Sequence, residues 1–429
     1  MKNIFNRYLL ILLSALFLFV GCFTPRKISN QNTASAYQKE ASFLHPQYEA
    51  YHNSESKSLL YFKINCKELL YVKSPEKQNA EATIKISYKL FSSIEKKQIA
   101  DSSSIKVVDN EYSSEGGFLI GKIEFNASYP NIYVMEITLS DLNRNQEVKS
   151  IINIDKSSLF TRQNFSITSI NSQQPIFRNA LSENESVLLK YNKIPNKKEL
   201  TIRYYNRSFP FPAPPFIVSN NKPFSYAADS VFTIQLSDSS TAIVRFNNRG
   251  FYHIQADTTQ KEGITLYRFV EDFPIINTTA KMVAPLRYLT TSQEYNEILY
   301  SKNQKASFDD FWIKNAGNPD RAREVVKAYY NRVQNANEFF TSYDEGWKTD
   351  RGIIYIIYGP PNVTFKNGYS ETWIYGEENS YKSINFSFVR VLNPFSDNDY
   401  ILNRSETYKD EWYKMGELWR QGRIYNSTR

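Results

Sequence analysis

Cysteine and histidine are scarce in this chain of 429 residues, and their scarcity excludes several kinds of site. There are two cysteines, Cys22 and Cys66, and three histidines, none of them beyond His253. The last third of the chain therefore cannot build a Ser-His-Asp triad, a Cys-His pair or a His-rich zinc site from its own residues. We accordingly expect no metal and no cofactor. Cys66 ends a strand-like stretch, where a small buried apolar residue is a better interpretation than a nucleophile.

Basic runs and phosphate-binding loops are also missing. The net charge is +8, but the basic residues are spread along the chain, so nothing predicts a nucleic-acid partner. The segment Gly359-Pro360-Pro361 does not have the lysine and the glycine spacing of a phosphate loop. Apolar residues make up 41% and charged residues 22%, which is typical of a globular protein with a sizeable core.

One long apolar run is present, and it lies at the N-terminus. Lys2 and Arg7 precede thirteen nearly unbroken apolar residues, 8–20, which is the length of a signal-peptide core and too short for a membrane-spanning helix. Gly21-Cys22 follows, and the whole resembles a bacterial lipoprotein signal. The resemblance implies that residues 1–21 are removed and that Cys22 carries the lipid, with several acyl chains giving stable anchoring.

The residues after Cys22 suggest the membrane and its face. Phe23 stands where an inner-membrane retention signal would have Asp, which favours the outer membrane. Residues 23–27 are basic rather than acidic, which favours the periplasmic face over the cell surface. Polar composition predicts that residues 22–57 are a lipidated tether, flexible from Arg26 to Ala41, with ordered structure beginning at residues 43–48.

Alternating apolar and polar residues predict two consecutive β-sandwiches, over residues 58–156 and 160–276. Each module places a tyrosine, Tyr133 or Tyr252, near the start of an alternating strand that is followed by a turn and a further strand. This resembles a late strand of immunoglobulin-like modules and suggests a repeat. Residues 209–216 hold four prolines and cannot form a central strand. They form either a stiff edge loop or a docking surface for a partner.

From residue 280 to the end the hydrophobic period becomes helical, which predicts an α+β domain. Thr291 and Glu294 form a capping box, and Asn318 with Pro319 opens a longer helix. All five tryptophans lie in this third: Trp312, Trp347, Trp373, Trp412 and Trp419. We expect one aromatic core there, with a carbohydrate-stacking platform as the alternative. The predicted fold class is mostly β with a C-terminal α+β domain, in which helices pack on an antiparallel sheet.

The segment Gly346-Trp347-Lys348-Thr349-Asp350-Arg351-Gly352, called the signature below, joins the helices to the predicted sheet. It resembles the signature of the GWxTD domain family, found in envelope proteins of Bacteroidota and some other bacteria, and the resemblance implies no activity. Its glycines permit a positive φ or a close backbone approach, and Thr349 and Asp350 are typical turn residues. We expect Arg351 to pair with Asp350 or a neighbouring acid. The apolar run 353–358 predicts a central strand.

Two hypotheses of function remain at this point. The first is a non-enzymatic outer-membrane lipoprotein, a scaffold whose sandwiches present the C-terminal domain to an envelope protein partner or the cell wall. The second is a glycan-binding protein or glycan hydrolase that uses the C-terminal aromatics and an acid cluster of Asp344, Glu345 and Asp350, although carboxylates at this spacing are a weak indication. An open cleft with two convergent carboxylates beside an exposed tryptophan would favour the second.

Overall fold

The computed structural model describes residues 32–39, 42–75, 79–93, 98–110, 117–191, 198–218, 225–237 and 241–425. The predicted signal peptide and Cys22 lie outside the described residues. Within the described residues, no helix is both long and apolar enough to cross a membrane.

The first sandwich contains seven antiparallel strands in two sheets. One sheet has the order β1-β2-β5 and the other β4-β3-β6-β7. Their inner faces share one buried core that includes Leu60, Ile86 and Ile137. The strands are β1 Gln47–His52, β2 Lys57–Asn65, β3 Glu81–Ser93, β4 Gln98–Asn110, β5 Phe118–Asn126, β6 Asn131–Asp141 and β7 Gln146–Lys156.

The second sandwich repeats this topology. Its sheets have the orders β12-β9-β8 and β11-β10-β13-β14, so the first, second and fifth strands again face the other four. The strands are β8 Phe165–Ser169, β9 Ser186–Tyr191, β10 Glu199–Tyr205, β11 Ser230–Gln235, β12 Thr241–Arg245, β13 Gly250–Gln255 and β14 Ile264–Arg268. Both modules are therefore immunoglobulin-like β-sandwiches, as the sequence predicts.

A tyrosine corner supports the repeat. The Tyr133 hydroxyl donates to the Ser128 carbonyl at 3.2 Å, and the Tyr252 hydroxyl donates to the Asn248 carbonyl at 2.8 Å. Each tyrosine is the third residue of its module's sixth strand, and each hydroxyl binds backbone four or five residues upstream. This is the hydrogen bond that closes the corner in immunoglobulin-like sandwiches.

The C-terminal region is α+β. Asn303 caps the helix of residues 304–316, and Gly317 ends that helix at a φ of 86°. The helices are α1 Thr279–Val283, α2 Ser292–Leu299, α3 Gln304–Ala316, α4 Pro319–Phe340, α5 Asp350–Tyr358 and α6 Lys409–Arg420. The strands are β15 Val363–Lys366, β16 Ser370–Tyr375, β17 Ile384–Arg390 and β18 Tyr400–Leu402. They form an antiparallel sheet in sequence order.

The prediction of a strand at residues 353–358 is wrong, because this run is the buried helix α5. A short run that is apolar on every side fits a central strand or a fully buried helix equally well. The residues before the run decide between them. The Thr349 hydroxyl accepts a hydrogen bond from the Gly352 N–H at 3.0 Å, which caps a helix.

The prediction of a tether over residues 22–57 is also wrong in its described part. Residues 47–52 form β1, an edge strand of the first sandwich. Asn32 to Lys39 lie against the C-terminal domain, and the Tyr37 ring is buried in that domain's core. Cys66 is half-buried in a short 3-10 helix that follows β2, rather than buried within the strand.

The proline-rich segment, residues 209–216, packs against the C-terminal domain. The Phe211 ring contacts Trp347 with a centroid distance of 5.4 Å, and Phe216 contacts Tyr413 at 5.5 Å. The Pro215 carbonyl accepts a hydrogen bond from the Ser405 N–H at 3.1 Å. The segment therefore joins the second sandwich to the C-terminal domain of the same chain.

Candidate functional site

The signature forms a tight corner between α4 and α5. A β-carbon at Gly346 would lie 2.0 Å from the Ala336 carbonyl oxygen, and one at Gly352 would lie 2.0 Å from the Gly346 carbonyl oxygen. Neither glycine has a positive φ. Both are therefore needed for close backbone approach, which is one of the two uses that the sequence suggested.

Hydrogen bonds from both helices hold the corner. The Asn337 side chain, on α4, accepts the Trp347 N–H at 3.1 Å, and the Thr341 hydroxyl accepts the Gly346 N–H at 3.1 Å. The Thr349 hydroxyl donates to the Gly346 carbonyl at 2.8 Å while it caps α5. At the other end of α5, the guanidinium of Arg332 donates to carbonyls of the last turn. Its positive charge stabilises the negative end of the helix dipole.

Trp347 fills the space between the helices and the second sandwich. Its side chain is only 4% exposed, because Phe211 and Tyr288 cover the ring. The indole N–H donates to Glu345 at 3.2 Å. The other four tryptophans are also buried, so no tryptophan is presented to solvent as a stacking platform.

Asp350 pairs with an arginine far along the chain. Arg404 donates to both carboxylate oxygens of Asp350, one of them at 2.9 Å. The Leu402 N–H, on β18, donates to the same carboxylate at 2.8 Å. Asp350 thereby fastens the first turn of α5 to the edge of the sheet, and the expected pairing with Arg351 does not occur.

Arg351 pairs instead with Glu371 on β16. The two side chains are almost completely buried, and one guanidinium nitrogen lies 3.0 Å from a carboxylate oxygen. Arg351 also donates to the Asn398 carbonyl at 3.0 Å and lies over the Tyr400 ring at 4.1 Å. A planar guanidinium with partners on several sides suits such a buried position.

Burial alone would raise the pKa of the Glu371 carboxyl. The positive charges of Lys366 and Arg351 and hydrogen bonds from Trp373 and Tyr37 outweigh this effect, so the pKa is lowered. Glu371 is therefore ionised, and its two oxygens are held by the Arg351 guanidinium and the Trp373 indole N–H. A carboxylate held in this way is an anchor for its neighbours rather than a free base.

The two remaining acids share one lysine. Lys348 lies 2.6 Å from a Glu345 carboxylate oxygen and 3.7 Å from an Asp344 carboxylate oxygen. Burial raises the pKa of Asp344 to about 7, and the positive charge of Lys348 offsets this only in part. Asp344 also accepts the Glu345 N–H at 2.8 Å.

The predicted acid cluster of Asp344, Glu345 and Asp350 is therefore split. Asp344 and Glu345 surround Lys348, whereas Asp350 belongs to the separate Arg404 pair. Each acid has a cation or a backbone amide as partner. Within the described ranges, no group of three or more His, Cys, Asp or Glu side chains could hold a metal ion.

Sequence reasoning did not identify the partners of the signature. Arg404, Glu371, Asn398 and Arg332 lie between 20 and 54 positions from the residues that they hold. One signal was present for Glu371, because it is a lone acid in an apolar strand that otherwise reads as buried. The other three have no local pattern that distinguishes them from surface polar residues.

Comparison with known proteins supports the family resemblance. The model of the GWxTD domain matches residues 250–421, a range that begins at β13 of the second sandwich. No curated protein matches the chain. Among solved structures, red sea bream transglutaminase is 9% identical over 50% of this chain and 28% of its own length. Its TM-score is 0.18, so this likeness carries no argument. The chain therefore contains a GWxTD domain, which includes the signature.

Proposed function

We propose that this protein is a non-enzymatic cell-envelope lipoprotein, anchored in the outer membrane through Cys22 and facing the periplasm. In this proposal it is a scaffold or adaptor whose GWxTD domain binds an envelope protein partner or the cell wall. The support for the anchor is the sequence of residues 1–27, with its charged start, its apolar run and the Gly21-Cys22 pair.

The observation that carries the proposal is that the side chains of the signature are buried or paired with other residues. Trp347 is buried, Asp350 is paired with Arg404, and Arg351 is paired with Glu371. A catalytic or sugar-binding cleft would require polar groups that are open to a ligand. The signature instead uses its polar groups to join two helices to a sheet, which favours an architectural role over the glycan-hydrolase hypothesis.

The docking of residues 32–39 on the GWxTD domain sets the geometry of the proposed anchor. Asn32 lies ten positions after Cys22, and a fully extended chain of that length spans at most about 35 Å. If Cys22 carries the lipid, the GWxTD domain lies close to the membrane. The sandwiches then act as a side arm and not as spacers between the membrane and the domain.

Lipidation and partner binding require separate experiments. Cells grown with a labelled fatty acid should label the native chain and not the Cys22→Ser variant, which should also leave the membrane fraction. Absence of label on the native chain would contradict the anchor.

Crosslinking of intact envelopes, followed by mass spectrometry, tests the scaffold role. We expect repeated crosslinks from lysines of the GWxTD domain to one envelope protein or to cell-wall fragments. Recovery of the chain only as a monomer without specific neighbours would contradict the scaffold role.

A further inference from the structure

The segment Asn32–Lys39 lies along the open edge of the C-terminal sheet. Its Thr33 N–H donates to the Thr364 carbonyl at 2.9 Å, and the Thr364 N–H donates to the Asn32 side chain at 2.9 Å. The Asn32 amide donates in turn to the Asn362 carbonyl at 2.9 Å. Since β15 is the first strand of its sheet, these bonds satisfy backbone groups that would otherwise form a free edge.

Tyr37 is the anchor of the segment. Its ring is 8% exposed and packs against Phe339, Phe340 and Trp373 at centroid distances of 5.3 to 5.5 Å. Trp373 in turn donates its indole N–H at 2.8 Å to Glu371, the partner of the signature arginine. Burial, together with the negative charge of Glu371, raises the pKa of Tyr37. The Tyr37 hydroxyl is therefore protonated.

Further contacts fix the backbone beside this ring. The Tyr355 hydroxyl, on α5, donates to the Tyr37 carbonyl at 3.0 Å. The Gln38 side-chain amide donates to the Pro361 carbonyl at 2.8 Å, just after α5 ends. Lys39 forms an ion pair with Glu338 on α4.

We propose that this groove is a peptide-binding site of the GWxTD domain, and that its ligand is the chain's own segment 32–39. All the contacts above come from α4, α5, the Pro361 turn, β15 and β16, some 300 residues away in sequence. The mode combines addition of a short segment to a sheet edge with a buried aromatic anchor, as in other peptide receptors. The proposal goes beyond the scaffold role and does not depend on lipidation.

The site has a defined ligand chemistry. It takes a peptide with an Asn-Thr pair for the β15 edge and a tyrosine four residues after the threonine for the aromatic pocket. Arg351 holds Glu371, and this carboxylate accepts the indole N–H of Trp373, which forms part of the aromatic pocket. The signature thereby contributes the charged floor of the site.

Hydrogen exchange tests docking in the chain itself. The protein is a chain of residues 23–429, which keeps every residue that the structure describes. We expect slow exchange at the Thr33 and Thr364 amides. Tyr37→Ala should accelerate both at least tenfold, and Tyr37→Phe should give an intermediate effect. Tyr381→Ala should match the native chain, because Tyr381 is exposed in the same domain. Fast exchange of both amides in the native chain would overturn the proposal.

Binding in trans distinguishes a ligand from a part of the core. A fluorescein-labelled peptide of residues 31–41 should bind the Tyr37→Ala chain and should not bind the native chain, whose groove is filled. Thr33→Pro, which removes both hydrogen bonds from Thr33 to the Thr364 carbonyl but keeps Tyr37, should admit the peptide more weakly. The idea fails if the peptide binds neither variant, or if Tyr37→Ala changes the tryptophan fluorescence to that of an unfolded domain.

Discussion

Buried charges decide how single residues of the signature respond to substitution. Arg351 and Glu371 have almost no contact with water, and removing one partner of a buried pair leaves the other charge uncompensated. Such a loss is strongly destabilising even where the intact pair itself adds little. The signature arginine is therefore expected to be sensitive to a change that keeps its charge but not its shape.

We predict that Arg351→Lys lowers the free energy of unfolding of the GWxTD domain by about 2–4 kcal/mol. Lysine keeps the charge but cannot reach Glu371 and Asn398 at once from a planar group. Urea unfolding followed by tryptophan fluorescence reports on this domain, since all five tryptophans lie in it. Arg323→Lys is the matched control, because Arg323 is exposed on α4 and should change by less than about 0.5 kcal/mol.

Asp344 should make the stability of the domain depend on pH. Its pKa is about 7 in the folded chain, against an ordinary value of 3.8, so the folded state binds more protons than the unfolded state between these pH values. The contribution of Asp344 to the free energy of unfolding is therefore fully present below about pH 4. It decreases by about 2–4 kcal/mol as the pH rises towards 7. Asp344→Asn should remove that slope.

The measurement is the free energy of unfolding between pH 4.5 and 7.5. Asp310→Asn, at an exposed position of α3, is the control and should keep the native slope. A native slope in Asp344→Asn would show that Asp344 is not the group responsible.

Among the elements, α5 shows what local sequence can and cannot determine. The sandwiches were predictable because alternation over 5 to 13 residues has one interpretation, and α4 because its cap and apolar stripe agree. Residues 353–358 are apolar at every position and so show no hydrophobic periodicity. The choice between strand and helix therefore depends on the Thr349 cap. The placement of Tyr37 was not predictable, because it depends on contacts with residues some 300 positions away.

Close packing between α4 and α5 predicts that the signature glycines cannot be replaced by alanine. Gly346→Ala and Gly352→Ala should each destabilise the domain by about 2–4 kcal/mol, since the added carbon meets rigid backbone at 2.0 Å. Gly416→Ala is the control, because Gly416 lies within α6 with open space around it. That change should stabilise by about 0.5–1 kcal/mol. Equal effects in thermal unfolding at the three positions would contradict the packing.

At the scale of the whole molecule, the second sandwich and the GWxTD domain share an aromatic interface. The Phe395 ring contacts Tyr205, Phe251 and Tyr343 with centroid distances of 5.1 to 6.1 Å. The Tyr267 hydroxyl donates a hydrogen bond to the Phe395 carbonyl. This interface offers a physical reason why the family match begins at β13 and not at the helices. The last strands of the sandwich and the domain are joined in one unit.

We predict that Phe395→Ala uncouples the two parts. Loss of the ring should lower the free energy of unfolding by about 3–5 kcal/mol. It should also make the tryptophan-containing domain and the sandwich unfold separately. Fluorescence and far-UV circular dichroism, which should coincide in the native chain, would then give different midpoints. Leu392→Ala, at an exposed position nearby, should leave them coincident. Coincident midpoints in Phe395→Ala would contradict the interface.

The most direct test of an architectural signature is the unfolding free energy of Asp350→Asn. We predict a loss of about 3 kcal/mol by tryptophan fluorescence in urea, because Arg404 and the Leu402 N–H lose their charged acceptor. Asp310→Asn should change little. An Asp350→Asn chain that is as stable as the native chain, or more stable, would contradict the account. Such a result is expected when a carboxylate serves binding or catalysis at the expense of stability.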